Sequence, residues 1–350
     1  MRCILREAGV RSLRDHRHPL ALSGKESARR MIPNRTPRFI QRHVSDAAAE
    51  RREIAAGLLR RPAQAAPKYF YDRLGSHLFE AITELPEYYP TRTEATIFAL
   101  HGAAMARHIG ARATLVDLGA GNCAKAVRLF PLLEPTRYVA IDISVDFLHD
   151  ALRRVQREHP ALDVIGLGLD FSSALDVPDD VLDGRNVFFY PGSSIGNFTP
   201  DEALSFLQRV RTRASGGGLL IGVDLVKPGA LLEAAYADAL GVTAAFNLNI
   251  LRQINRLIGS DFEPRKWQHV GLFNTAQSRV EMHLQAREDL VVRWPEGSRA
   301  FAAGERLHTE NSCKYTIERF TALLEQAGFD APMHWTDPNG WFAVFWAPTR

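Results

Sequence analysis

Cysteine is scarce: Cys3, Cys123 and Cys313 are the only three in 350 residues, and none stands in C-x-x-C spacing. A set this small and odd argues against a disulfide framework and a cysteine zinc site, and fits a reducing cytoplasm. Long apolar runs are missing too. Nothing approaches the roughly 18 consecutive apolar residues needed to span a bilayer, so no membrane partner is expected. No group of His, Cys and Asp carries metal-ligand spacing, and no metal is expected. Acids are thin at the front, where arginines from Arg2 to Arg52 face few acids such as Glu7, Asp15 and Glu26. That stretch has no apolar core of a secretory signal. It also lacks interleaved aromatics on which bases would stack. Residues 1–55 therefore read as a basic, disordered leader with no nucleic-acid partner.

What is present is ordinary for a soluble globular chain: 46% hydrophobic and 24% charged residues, with a net charge of +3. The length allows two domains. From Ala113 onward, short apolar runs alternate with longer amphipathic stretches. ATLVDL at 113–118 predicts a buried strand that ends in the turn Gly119-Ala120-Gly121. One helix is predicted from this turn through Leu133. Further strands are predicted at 138–143, 163–169, 186–190 and 218–225, with helices over 145–158 and 200–214. Thr199 reads as the N-cap of the last helix and Pro200 as its first turn. This alternation predicts an α/β fold built on a doubly wound parallel sheet. After Asp224 the rhythm changes to helices at 231–240 and 243–258, then antiparallel strands at 278–287 and 290–294. A helix over 316–327 and short strands around His334 and at 342–346 close the chain. The expected division is a doubly wound domain of residues 96–226 plus 313–350. A smaller α+β substrate-binding domain takes 56–95 plus 227–312, with the ligand between the two.

Glycines at 119 and 121 let the backbone turn sharply and approach a nucleotide, because no Cβ intrudes. Asp142 ends the next strand about 20 residues later, where a carboxylate accepts hydrogen bonds from ribose hydroxyls. Asp170 and Phe171 follow the third strand, offering an acceptor for an adenine amino group and a ring to stack on it. Gly119-x-Gly121-x-x-Ala124 alone also satisfies the dinucleotide fingerprint. Asp117, two residues before the first glycine, and Lys125, in the first turn of the next helix, favour a methyltransferase over a dehydrogenase. Taken singly, Lys125 reads as a solvated lysine and Phe171 as core.

Six further segments stand in order: KYFYD at 68–72, Gly75-Ser76, LPEYYPTRTE at 85–94, PGSSIGN at 191–197, DLVK at 224–227 and GVTAAFN at 241–247. The ordered set resembles the L-histidine Nα-methyltransferases of ergothioneine biosynthesis, from about Pro67 to the C-terminus. The resemblance implies a class I methyltransferase core that uses S-adenosylmethionine to trimethylate the α-amino group of free L-histidine, giving hercynine. It implies cofactor contacts at Gly119, Lys125, Asp142, Asp170 and Phe171, and Tyr71 beside the reacting centre. Histidine is then held by Tyr88, Asn197 and Tyr236 near its backbone end or ring. Glu310 and Ser312 hold the imidazole, with Met282 near that ring. These residue types suit the task, since an amide and a phenol hold a carboxylate and a carboxylate accepts an imidazole N–H. One departure stands out: Asn311 occupies a position, between Glu310 and Ser312, that is usually apolar in the family. In a strand its side chain faces away from both neighbours. The competing readings are a nicotinamide-dependent oxidoreductase, a methyltransferase of another amino acid or amine, a nucleic-acid enzyme or binding protein, and a regulatory scaffold. A small-molecule amino-acid partner and a monomeric chain are expected.

Overall fold

The structure is a computed structural model and describes residues 35–42, 46–143, 145–172 and 174–349. In chain order its strands are β1 (Arg38–Gln41), β2 (Ala63–Gln64), β3 (Thr114–Leu118), β4 (Arg137–Asp142) and β5 (Asp163–Gly168). Then come β6 (Asn186–Tyr190), β7 (Gly218–Asp224), β8 (Trp267–Asn274), β9 (Arg279–Ala286) and β10 (Leu290–Trp294). The last are β11 (Gly297–Phe301), β12 (Arg306–Cys313), β13 (Met333–Thr336) and β14 (Phe342–Pro348). The helices are α1 (Ala47–Leu59), α2 (Arg73–Thr83), α3 (Tyr89–Ile109), α4 (Ala124–Val127) and α5 (Phe130–Leu133). They continue as α6 (Val145–Glu158), α7 (Pro200–Arg213), α8 (Gly229–Tyr236), α9 (Val242–Ile258) and α10 (Ile317–Gln326).

Strands β3, β6 and β7 are buried at every position, as strands covered by helices on both faces must be. They sit in an eight-stranded sheet of order β1-β5-β4-β3-β6-β7-β14-β13. The pairs from β1 to β7 are parallel, and β14 enters antiparallel to β7 and β13. The expected doubly wound sheet is what forms. From β3 the chain winds outward through β4 and β5, then returns to β6 on the other side of β3. The strand order thus reverses between β3 and β6, and a crevice opens at their carboxyl ends. Thr199 caps α7 as expected, in a reciprocal box with Glu202 behind Pro200.

A second sheet, of order β2-β12-β9-β8, packs with α1, α2, α8 and α9 around its own apolar cluster, which includes Phe70, Phe246, Trp267 and Leu284. Asn247 ties α9 to this sheet: its amide donates to the His283 carbonyl oxygen and lies 2.8 Å from His269 Nδ1, while its oxygen accepts from Thr309. Asp72 caps α2 and accepts from Asn249 of α9. Two of the six ordered segments, KYFYD and GVTAAFN, therefore carry structural ties through Asp72 and Asn247. No helix among the described residues is long and apolar enough to cross a membrane.

Three expectations need correction. The leader was expected to be disordered to residue 55, yet Arg38–Gln41 adds a parallel edge strand to β5 and α1 begins at Ala47. The reason is local: the Phe39 ring stacks on His149 at 3.7 Å, Asp46 caps α1, and Ile54 and Leu58 are buried. Residues 1–34 lie outside the described residues. The single helix expected through Leu133 is two short ones, α4 and α5, with Pro131 in the first turn of the second. The expected division at residue 96 falls inside α3, a continuous 21-residue helix.

Candidate active site

The glycine turn after β3 holds Gly119 at φ 71° and Gly121 at φ 50°, a region that favours glycine. A Cβ on Gly121 would meet nothing within 4 Å, and one on Gly119 would lie 3.7 Å from the Phe171 ring. The turn is held from below. Gly119 and Ala120 donate backbone N–H bonds to the Ile141 carbonyl oxygen, and Gly121 donates to Asp142 Oδ2 at 2.9 Å. Asp142, Gly119 and Phe171 thus face one another across the ends of β3, β4 and β5. Asp170 accepts from the Ser172 backbone and hydroxyl. Lys125 pairs with Glu94 Oε2 at 2.7 Å, and the other oxygen of Glu94 accepts the Gly192 N–H at 2.7 Å. This buried glutamate joins α3 to both sides of the crevice. Asp117 lies beneath the turn rather than in the crevice wall. It is buried, accepts from the Tyr138 hydroxyl at 2.7 Å, and is pushed by burial up to about 7.

Beyond Gly192 the crevice continues into a pocket. Tyr71, Tyr88, Asn197, Tyr236, Met282, Glu310 and Ser312 all line it. The residues expected at the amino-acid end are thereby brought together from six separate segments of the chain. The five expected at the cofactor end are not in this lining; they flank it at the strand ends. Packing explains the convergence. A Cβ on Gly196 would stand 2.9 Å from the Cys313 carbonyl oxygen, so glycine lets the turn before Asn197 lie against β12. The antiparallel register sets Glu310 opposite Met282, just after a bulge at His308. His269 Nε2 lies 2.7 Å from the Tyr236 carbonyl oxygen and fixes the end of α8. Asn311 bonds His308 at 2.9 Å and is absent from the pocket lining.

The walls are aromatic. Tyr71 meets Phe79 and Phe246 edge-on, each with ring centroids 5.9 Å apart, and Tyr88 meets Tyr236 at 6.4 Å. Burial raises the phenols of Tyr71, Tyr88 and Tyr236, so they remain protonated at neutral pH. Burial also pushes Glu310 up to about 8, with Lys314 opposing the rise.

Sequence reading missed a buried polar network under this pocket. The Tyr236 hydroxyl donates to Ser312 Oγ at 2.7 Å, and Lys314 Nζ donates to the same Oγ at 2.8 Å and to Asp224 Oδ2 at 2.7 Å. Asp224 also accepts from the Tyr89 hydroxyl and from Lys227. Burial acts to raise Asp224, but Lys314 and Lys227 outweigh it and hold the carboxyl below its ordinary range. Burial lowers Lys227 to about 8, against the pull of Asp224. Asp224 and Lys227 stand in the ordered segment DLVK, to which no role was given. Lys314 follows Glu310 and Ser312 at alternate positions, a period-two signal that was available.

A glycine turn at the switch point of a doubly wound sheet, with an acid ending the next strand, defines a nucleoside-binding α/β protein. Among the described residues no group of three or more His, Cys, Asp or Glu is arranged to hold a metal ion. Comparison with known proteins makes the assignment particular. The chain belongs to the family of histidine-specific, S-adenosylmethionine-dependent methyltransferases, whose model matches residues 50–349. It is 40% identical over 310 residues to the histidine N-alpha-methyltransferase of Mycolicibacterium smegmatis, covering 86% of this chain and 96% of that one. It is 30% identical over 291 residues to ergothioneine biosynthesis protein 1 of Neurospora crassa, covering 79% of this chain and 32% of that larger protein. It is also 25% identical over 338 residues to the 4-dimethylallyltryptophan N-methyltransferase of Claviceps purpurea, covering 87% and 95% of the two chains.

Proposed function

We propose that this enzyme transfers three methyl groups to the α-amino group of free L-histidine, giving hercynine for ergothioneine biosynthesis. The observation that carries the reading is the pocket itself, where Glu310, opposite Met282, stands on β12 with Ser312, and Tyr88, Asn197 and Tyr236 lie around them. An acid and a hydroxyl at one end match the imidazole edge. A phenol and an amide match the carboxylate.

The crevice fits the cofactor, because the space beside Gly121 is open and Phe171 flanks Gly119. Gly119, Asp142, Asp170 and Phe171 would hold its nucleoside end, and Lys125 stands by the same turn. When bound, S-adenosylmethionine supplies an electrophilic methyl group on a sulfonium. The protein's own part is to present a neutral amine in line and exclude water, which orientation alone makes worth several kcal/mol. Tyr71 and Tyr88 act as neutral phenols that orient the amine lone pair, since burial opposes a phenolate. The aromatic walls formed by Tyr71, Phe79 and Phe246 suit an amine that gains methyl groups and ends as a fixed cation. Glu310 accepts the imidazole N–H and so separates histidine from other aromatic amino acids. A relative named for N-methylation of 4-dimethylallyltryptophan supports a substrate choice made by the pocket side chains, with Glu310 as the one that reads the ring edge.

The test is mass spectrometry of a mixture of the twenty amino acids incubated with protein and S-adenosylmethionine. Histidine should gain three methyl groups while the others stay unmodified. Methylation of a different amino acid, with histidine untouched, would overturn the substrate assignment.

A further inference from the structure

A carboxylate is buried where the two ends of the crevice meet. Glu94 of α3 is 1% exposed, and both of its oxygens are engaged. Oε2 pairs with Lys125 Nζ at 2.7 Å, and Oε1 accepts the Gly192 N–H at 2.7 Å. Two glycines clear the space around this pair. A Cβ on Gly222 of β7 would stand 2.1 Å from Glu94 Oε1, so no side chain at 222 is compatible with the acid where it lies. A Cβ on Gly192 would stand 3.0 Å from Lys125 Nζ. Burying an ion is costly unless an opposite charge answers it, so Glu94 draws the Lys125 ammonium in against the crevice wall.

The order of the strands says what Lys125 faces. Across the sheet they run β5, β4, β3, β6, β7. Asp170 and Phe171 follow β5, Asp142 ends β4, the glycine turn follows β3 and Gly192 follows β6. S-adenosylmethionine is a chain of four parts: adenine, ribose, sulfonium and an amino-acid tail. Laid with its adenine by Phe171 and its ribose by Asp142, it brings its tail past the glycine turn toward Gly192. Lys125 stands on that path, beside Gly192. An ammonium has three N–H donors, and Glu94 Oε2 takes one. The Lys125 side chain is still 37% exposed, which leaves the ammonium open to an acceptor from the crevice. The anionic acceptor in this part of the cofactor is the carboxylate of its tail.

We propose that Glu94 is the positioning residue that aims Lys125 at the carboxylate of the cofactor's amino-acid tail. Its bond to Gly192 sets that contact against the wall of the amino-acid pocket. Glu94 acts through Lys125, since both of its oxygens are engaged and it is sealed from the crevice. The role rests on the reading that Asp142, Asp170 and Phe171 hold the nucleoside.

The test compares S-adenosylhomocysteine with 5′-methylthioadenosine, which keeps the nucleoside thioether and lacks the amino-acid tail. Affinities are measured by calorimetry for the wild type, Glu94→Gln, Lys125→Met and the double variant. The wild type should bind S-adenosylhomocysteine tighter by roughly tenfold or more. Glu94→Gln keeps an oxygen for the Gly192 N–H and removes the charge. It should weaken S-adenosylhomocysteine by about tenfold and move 5′-methylthioadenosine by less than about twofold. Lys125→Met should show the same pattern. The double variant should lose no more than about threefold beyond Lys125→Met alone, because the acid works through the lysine. Equal losses on both nucleosides in Glu94→Gln would mark a merely structural acid and overturn the proposal, as would additive losses in the double variant. Asp142→Ala locates a failure: normal affinity there too would remove the nucleoside site, whereas weakened affinity there leaves the fault with Glu94. If Glu94→Gln does not fold, the double variant replaces it, since it leaves no ion unpaired. Wild-type preference retained in that variant overturns the proposal. If neither folds, the wild type decides: 5′-methylthioadenosine bound within about threefold of S-adenosylhomocysteine overturns it.

Discussion

The two ends of the crevice are built from different materials. At the end proposed for the cofactor the surface is mostly backbone: a turn at positive φ, its N–H groups held by Ile141 and Asp142, and acids at strand ends. At the amino-acid end it is side chains from α2, α3, α8, β9 and β12 and the loops beside them, resting on buried charges. A backbone cradle tolerates the loss of one side chain because the sheet still holds the turn. A pocket of side chains over a buried ion group does not, since each member answers the charge of another. Stability and specificity are therefore separable at the first end and coupled at the second.

The sharpest way to break this contrast is at Asp224. Asp224→Ala leaves two buried ammoniums facing each other and should lower unfolding free energy by about 3–5 kcal/mol, read by urea denaturation. A loss under about 1 kcal/mol would mean that the charges are not coupled. At the other end, Asp142→Ala should weaken S-adenosylmethionine binding roughly tenfold or more, the loss of charge-assisted bonds of about 1.5–3 kcal/mol. In the apo protein the loss of the Gly121 bond should cost about 0.5–1.5 kcal/mol. Calorimetry of binding and of melting separates the two, and normal cofactor affinity would remove Asp142 from the site.

Glu310 sharpens the comparison through pH. Its carboxyl is raised from 4.5 to about 8 on folding. The neutral form it favours contributes fully below pH 4.5, and that contribution is lost as pH rises toward 8. Glu310→Gln should match the wild type in melting temperature near pH 4, where Glu310 is neutral in both folded and unfolded states. By about pH 9 the variant should be the more stable by some 2–6 °C. A gap that shrinks toward alkaline pH would contradict the raised carboxyl. The smallest effect is expected at Asn311, which bonds His308 outside the pocket lining. Asn311→Leu should cost about 0.5–1.5 kcal/mol of stability. It should leave the preference for histidine within about twofold, and a larger change in preference would show that Asn311 reaches the substrate.

Legibility followed the same division. The strand, glycine turn and distant acid at the cofactor end are local in sequence, and spacing alone located Gly119, Asp142 and Asp170 at the strand ends where they stand. The pocket could not be assembled by spacing, because Tyr71 and Ser312 meet only through the packing of α2, α9 and the second sheet. Resemblance supplied its members, and the structure supplied their contacts. Three things stayed hidden. Strand β1 was masked by the arginines around Phe39 and Ile40, and a four-residue edge strand has little periodicity to read. Helix α1 has only Ile54, Leu58 and Leu59 as large apolar residues beside its alanines and charges, so it resembles a solvated tail. The partner of Lys314 was hidden: alternation puts it on the face of Glu310 and Ser312, but Asp224 arrives from β7.

The central claim is that one pocket reads the ring and the carboxylate of histidine with different side chains. The direct measurement is kcat/KM for histidine, phenylalanine and tryptophan in the wild type, Glu310→Ala and Tyr236→Phe. Glu310→Ala should lose roughly tenfold to a hundredfold on histidine, about 1–3 kcal/mol. It should approach indifference among the three amino acids. Tyr236→Phe should weaken all three alike and keep the preference for histidine. If Glu310→Ala retains the wild-type preference, or Tyr236→Phe abolishes it, the two ends of the substrate are not divided between these residues and the account is wrong.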